Sequence, residues 1–299
     1  MSTGELKIES SLQNNRINEM TSQAEGLKET VVTSKNNPWK LVNLREVWRY
    51  RELIYFLSWR DIKVRYKQAA FGVAWVIAQP LFSMLTFTFL FGRVAKMESD
   101  GLPYAAFSFC ALVPWNYFVS AINKGSLSLA GSGALFSKVY FPRLIIPIAA
   151  VAAGVVDYVI AMGSLVLVLA WYGYYPQLSW LVGIPLLSFA MVALACGMSL
   201  WLGALNVKYR DVGHLLPFFI QLWMFLTPIV YPLSAIPERF SNWARLNPMT
   251  GIIEAYRSVI FNRPFDWASI GFSLGITALM LISGMFYFSR TERKFADIV

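Results

Sequence analysis

The chain has one histidine and two cysteines in 299 residues, and only 14% of its residues are charged. A single His214 excludes zinc sites built on two histidines, and any Ser-His-Asp relay would have to pass through that one ring. His214 stands beside Asp211 at the mouth of an apolar run, where helix capping accounts for it without catalysis. Cys110 and Cys196 fall inside apolar runs, where thiols behave as small buried hydrophobes, so they form no metal framework and report no redox compartment. No GxxxxGK[ST] loop occurs, which removes nucleotide binding by that route. No apolar h-region follows Met1, so a secretory signal is not expected.

What is present in quantity is apolar. Hydrophobic residues make up 57% of the chain and mean hydropathy is +0.50, a profile of membrane proteins and not of soluble domains of this length. Six runs, at roughly 71–92, 104–123, 144–172, 178–205, 214–233 and 268–289, are each near or above the ~20 residues that cross a hydrocarbon core. The expectation is an all-α polytopic membrane protein with six transmembrane helices. Sixteen Lys and Arg residues flank one side of these runs and six the other. Basic segments stay cytoplasmic, so both termini are expected there, and the net charge of +9 is an orientation signal more than a nucleic-acid footprint. Residues 1–37 mix acids and bases without aromatics and are expected to be a disordered cytoplasmic tail ahead of a permease domain over 38–299.

Residues 44–66 are too charged to cross, yet Leu44, Trp48, Tyr55, Trp59, Ile62 and Tyr66 recur at spacings that place one aromatic stripe on a helix. Arg60, Lys63 and Lys67 fall on the far side, and Asp61 and Arg65 are four apart, as in a helical ion pair. This predicts an N-terminal amphipathic helix in the cytoplasmic interface. Anchoring alone explains it; transmitting a push from a cytoplasmic partner is the other open reading.

Asp157 is the one acid well inside a run, and burying it ionised would cost ~2.5–3.5 kcal/mol, so it is expected to face protein or water. An inter-helix hydrogen bond competes with a functional role, because no further intramembrane ionisable partner is visible in the sequence. Aromatics crowd the first, second and fifth runs, where most face lipid or neighbouring helices; in a pathway, aromatic faces would let sugar rings slide by apolar stacking, with Phe82, Trp115, Phe218, Trp223 and Tyr231 as candidates. Pro80, Pro114, Pro147, Pro185, Pro217 and Pro228 mark kinks or first turns. Gly271 and Gly275 form a GxxxG, a weak packing signal.

Between the fifth and sixth runs, Asn247-Pro248 reads as an N-cap followed by proline at the first helical position. Ile252, Ile253, Tyr256, Val259 and Ile260 then make an apolar face too short to span. With 237–244 this predicts two short helices, lying flat or re-entrant on the outer side, that narrow or cover an exit. Residues 131–143 hold glycines, aromatics and a lysine, a plausible knob for a partner's groove.

Three stretches in order carry a resemblance: Trp59-Arg-Asp-Ile-Lys-Val-Arg-Tyr-Lys-Gln68 running into Gly72-Val-Ala-Trp-Val-Ile-Ala-Gln-Pro80, then Phe136-Ser-Lys-Val-Tyr-Phe-Pro-Arg143, then Asn206-Val-Lys-Tyr-Arg-Asp-Val212 leading to Thr227-Pro-Ile-Val-Tyr-Pro232. From about Trp39 onward the chain resembles the membrane (permease) subunit of a bacterial ATP-binding-cassette polysaccharide exporter, the family that moves lipid-linked O-antigen, capsule or teichoic acid. The resemblance implies a homodimer in the inner membrane, joined to two copies of a separate cytoplasmic ATPase that carries ATP and Mg, with no cofactor or metal on this chain. It implies an interface helix over 44–68, with Trp59, Arg60, Lys63, Arg65 and Lys67 near lipid headgroups. A coupling helix over 133–143 would present Leu135, Phe136, Lys138, Tyr140 and Arg143 to the ATPase. Outer gate helices would lie over 233–262, and the channel would run along the dimer seam. The implied substrate is a long glycan on undecaprenyl diphosphate, O-antigen foremost. A rival from another class is an integral-membrane transferase on a lipid carrier, which would need paired carboxylates or a histidine with a carboxylate on one face; the outside acids are scattered. A passive or proton-coupled carrier is the third reading, and the two halves show no convincing inverted repeat.

Overall fold

Lipid offers backbone amides no water to bond, so long apolar runs close their hydrogen bonds within themselves as helices. The protein is a computed structural model that describes residues 44–67, 72–129, 141–209 and 211–292, and among them it contains helices and connections only. The order is α1 (Leu44–Arg49), α2 (Arg51–Lys67), α3 (Gly72–Phe87, prolonged by a π-helical stretch Thr88–Val94), α4 (Tyr104–Leu127), α5 (Ile145–Trp171) and α6 (Leu178–Lys208). Then come α7 (Asp211–Leu226), a 3-10 turn (Leu233–Ala235), α8 (Glu238–Leu246), α9 (Pro248–Phe261) and α10 (Trp267–Glu292). Local chemistry sets several ends. Gly173, at φ 85°, follows α5. The Asn247 side chain accepts from the Met249 amide at 3.1 Å, with Pro248 in the first turn, and left-handed Asn262 closes α9.

Among the described residues, five helices are long and apolar enough to cross a membrane: Gly72–Val94, α4, α5, α6 and α10. The fifth predicted span is shorter than expected. Helix α7 has 16 residues, about 24 Å at 1.5 Å per residue, against a hydrocarbon core of ~30 Å. It stops because Pro228 has no amide to continue the ladder, and the chain turns through Thr227 to Val230. That irregular backbone is buried, and side chains satisfy it. The Arg257 Nη2 donates to the Ile229 carbonyl at 3.1 Å, Tyr104 Oη to the Val230 carbonyl at 2.6 Å, and Asn247 Nδ2 to the Leu226 carbonyl at 3.5 Å.

Helix α4 is the axis of the bundle. It packs against α3, α5, α6, α7 and α9, and Phe107, Phe109, Phe118 and Ile122 along it are fully buried. Helices α6 and α10 make the most extensive pairing. Their backbones meet at Gly197 and Gly284, where a Cβ on Gly197 would lie 2.7 Å from the Leu281 amide nitrogen. The GxxxG glycines Gly271 and Gly275 face open space instead. A second cluster, of Leu57, Leu129, Phe141, Leu144, Leu200 and Phe288, closes the end of the bundle to which α2 is bound, called here the basic end.

Helix α2 lies along α5, with Tyr50, Leu53, Ile54 and Leu57 turned to the bundle and Ser58 Oγ donating to the Ala149 carbonyl at 3.1 Å. The aromatic stripe is not this packed face: Trp48, Tyr55 and Trp59 remain exposed. Helix α9, expected flat or re-entrant, is wedged among α4, α6 and α10 with 11 of its 14 residues buried. Helix α8 has no buried residue and leaves Phe240 and Trp243 exposed. The expected tail at 1–37 and most of the segment 133–143 lie outside the described residues.

Candidate functional site

Asp157, midway along α5, is not alone. Arg65 Nη1 bonds directly to its Oδ2, Tyr66 Oη donates to Oδ1 at 2.6 Å, and Lys124 Nζ lies 3.8 Å from Oδ2. The expected Asp61–Arg65 pair is therefore not made. Asp61 instead accepts from Arg60 Nε and Nη2 at 3.0 and 2.9 Å. Arg65 continues the face of α2 that carries Leu57 onto α5, and a carboxylate in a low-dielectric setting attracts it more strongly than one facing solvent. The acid looked isolated in the sequence because its cations come from a helix counted as outside and from the last turns of α4.

This cluster borders a cavity of about 400 Å³ between α2, α3, α4 and α5, whose other walls include Trp75, Gln79, Asn116, Tyr117 and Ser120. Trp75 and Gln79 belong to the first two turns of α3, so Asp157 stands level with the start of that span and not at its centre. A neighbouring cavity of about 370 Å³, bordered by Leu57, Arg60, Ser128 and Ala149, shares Arg65 and Lys124 with the first.

The remaining sequence candidates disperse. Trp59, Arg60, Lys63 and Lys67 are exposed along α2, and the Lys63 ammonium lies 5.9 Å from the Trp59 ring centre. Leu135, Phe136, Lys138 and Tyr140 lie outside the described residues. Arg143 is tied to the end of α10: its amide donates to Glu292 Oε1 at 3.0 Å and its Nη1 to the Glu292 carbonyl at 3.3 Å. Phe82 on α3 and Phe218 on α7 are exposed. Trp115 departs from that grouping, being 2% exposed in the core, edge-on to Trp223 at 6.1 Å. Trp223 Nε1 donates to Asn247 Oδ1 at 3.0 Å, and half-buried Tyr231 donates to the Phe225 carbonyl at 2.8 Å.

Two polar clusters escaped sequence reasoning. Arg257 on α9 is 3% exposed, pairs with Glu254 at 2.7 Å and lies 3.6 Å above the Phe107 ring. Its signal was an arginine within an apolar helix, three residues after a glutamate. Tyr158, Ser188 and Tyr256 bring their hydroxyls within 2.7–2.8 Å of one another and join α5, α6 and α9. Nothing in a single sequence announces that meeting. At the basic end, buried Asn206 accepts from the first-turn Gly213 amide of α7 at 3.0 Å and donates to the Ser126 carbonyl at 3.4 Å. Among the described residues, no three His, Cys, Asp or Glu side chains gather as metal ligands.

Five crossing helices, a basic helix clamped to them through a shared carboxylate, and exposed aromatic flanks define a multi-pass helical membrane protein. The chain belongs to the ABC-2 type transporter family, whose model matches residues 52–261. It is 31% identical over 249 residues to the O-antigen export system permease protein RfbA of Klebsiella pneumoniae, covering 83% of this chain and 95% of that one. It is 26% identical over 260 residues to the RfbA permease of Myxococcus xanthus, covering 86% and 98%. To the polysialic acid transport protein KpsM of Escherichia coli it is 22% identical over 227 residues, covering 76% and 87%.

Proposed function

We propose that this chain is the channel-forming subunit of an ATP-driven exporter that moves a polysaccharide, most simply O-antigen on undecaprenyl diphosphate, across the bacterial inner membrane. The observation that carries the reading is the likeness to O-antigen export permeases over more than four fifths of the chain. The likeness to KpsM favours a capsular polysaccharide as the second reading, at lower identity.

Several features support the mechanism. Only 11% of the α3 span window is buried, and α7 also leaves Phe218, Phe219, Leu222 and Phe225 exposed. Both helices flank the buried α4, so two copies meeting there would enclose a seam lined by aromatics, with Phe82 and Phe218 facing it. The basic end is cytoplasmic, by the excess of Lys and Arg on that side. ATP and Mg belong to a separate ATPase that presses on 133–143. The push reaches the bundle through Arg143 and Glu292 and through α2. Exposed α8 is the movable element of the outer pair, because α9 is held in the core.

Co-expression with a candidate ABC ATPase from the neighbouring reading frames, purification in detergent and assay of ATP hydrolysis test the reading. A 2:2 complex that hydrolyses ATP is expected. A protein that captures no ATPase overturns the reading and restores the transferase and carrier alternatives.

A further inference from the structure

We propose that the cavity between α2, α3, α4 and α5 binds a phosphate group borne by a lipid, with Arg65 and Lys124 as its ligands and Asp157 as a resident counter-ion that the phosphate displaces. The site holds two cations and one carboxylate, an excess of positive charge in a partly buried place. Arg65 and Tyr66 already satisfy both carboxylate oxygens. Lys124, at 3.8 Å, is too far for a hydrogen bond, and its side chain stays 40% exposed. An ammonium held this loosely in the last turn of α4, at the basic end of the bundle, is available to an anion from outside the chain. The arginine fork beside it suits phosphate oxygens.

The opposite wall points the same way. Asn116 is half-buried within a membrane span, and its side-chain amide has no hydrogen-bond partner among the described residues. Its amide atoms stay accessible from the cavity, so a ligand or water entering there can pair with them. Gln79 and Ser120 border the same space, and Tyr117 and Trp75 add aromatic surface. A phosphate on the two cations would leave these amide and hydroxyl groups facing the first sugar or glycerol attached to it. The volume of about 400 Å³ lies in the range of small-ligand cavities. Trp75 is exposed beside the opening, as indoles are where headgroups lie. The phosphate has two chemical sources, a polyprenyl diphosphate carrier or an anionic phospholipid of the bilayer. The carrier as ligand rests on the exporter reading; the site does not.

The experiment uses the full chain in phosphatidylcholine nanodiscs, titrated with farnesyl diphosphate and, separately, farnesol. Saturable binding of the diphosphate is expected, with none of the alcohol. Asp157→Asn should tighten binding about fivefold, since a competing carboxylate is removed. The triple variant Arg65→Gln/Lys124→Gln/Asp157→Asn leaves no unpaired charge in the cluster and should melt near the parent. It should bind at least about tenfold more weakly. Phosphatidylglycerol that competes with the probe supports the site with a bilayer phospholipid as ligand; failure to compete supports it with the carrier. Unchanged binding in the triple variant, weaker binding in Asp157→Asn, or no saturable binding of the diphosphate overturns the proposal. An ATP-hydrolysing complex whose triple variant binds normally removes the site and keeps the exporter. Binding without any ATPase partner does the reverse.

Discussion

Replacing Arg257 with methionine removes a buried cation while keeping an unbranched side chain that fills space. Three interactions go at once. The Ile229 carbonyl loses its 3.1 Å guanidinium donor, which costs about 1–3 kcal/mol for a buried acceptor left unpaired. The Phe107 face loses a cation at 3.6 Å, about 0.5–2 kcal/mol. Glu254 loses its partner at 2.7 Å, but at 21% side-chain exposure it regains water and adds only part of the ~3–5 kcal/mol typical of a broken buried pair. Because these losses overlap, the expected destabilisation is about 3 kcal/mol, or a fall of ~6–12 °C in the unfolding midpoint. Tryptophan fluorescence of the purified protein in detergent during a thermal ramp measures it. The double variant Glu254→Gln/Arg257→Met should recover part of the loss, since no unpaired charge remains, and stay below the parent because the Ile229 carbonyl is still orphaned. An Arg257→Met protein that melts within about 2 °C of the parent would refute the argument that this side chain holds the broken end of α7 in place.

Gly197→Ala puts a methyl against the α10 backbone and should cost about 1–3 kcal/mol in the same thermal assay. Gly271→Ala, into open space, should leave the midpoint unchanged or raise it. Asp266 caps α10 by accepting from the Ser269 amide at 3.2 Å and hydroxyl at 2.7 Å. Burial pushes its carboxyl up, while the Ser269 donors and the Arg245 guanidinium outweigh that and hold it below the usual 3.8. A depressed carboxyl stabilises fully above the unfolded value and loses that contribution as pH falls through the folded one. Asp266→Ala, which removes the cap, should therefore cost about 1 kcal/mol at pH 7 and progressively less below about pH 4, read as converging melting curves.

Runs of apolar residues made the helices legible, since a run long enough for lipid has one way to satisfy its amides. The Asn247-Pro248 start of α9 was equally plain, because a cap is local chemistry. The fate of α9 was not: an apolar face of five residues fits a membrane surface or a crowded core, and only the small contacts offered by Gly183, Ser269 and Ser273 decide for the core. The end of α7 at Thr227-Pro228 could have been suspected from the proline, yet Pro114 and Pro185 sit within α4 and α6 without stopping them. The difference lies in Tyr104 on α4 and in Arg257 and the N-cap Asn247 of α9, which wait to receive the freed backbone. Asp157 was visible, but its partners were not, because depth along α2 is a tertiary fact. Arg65 and Asp157 are 92 residues apart and share no periodic pattern.

The 16 residues of α7 leave it roughly 6 Å short of the hydrocarbon thickness. Acyl chains pressed directly on that flank would have to compress, at fractions of a kcal/mol for each ångström of hydrophobic mismatch. The bilayer itself thus disfavours a solitary copy on the side where Phe218, Phe219 and Phe225 are bare, and thinning stress becomes a force drawing protein to that flank.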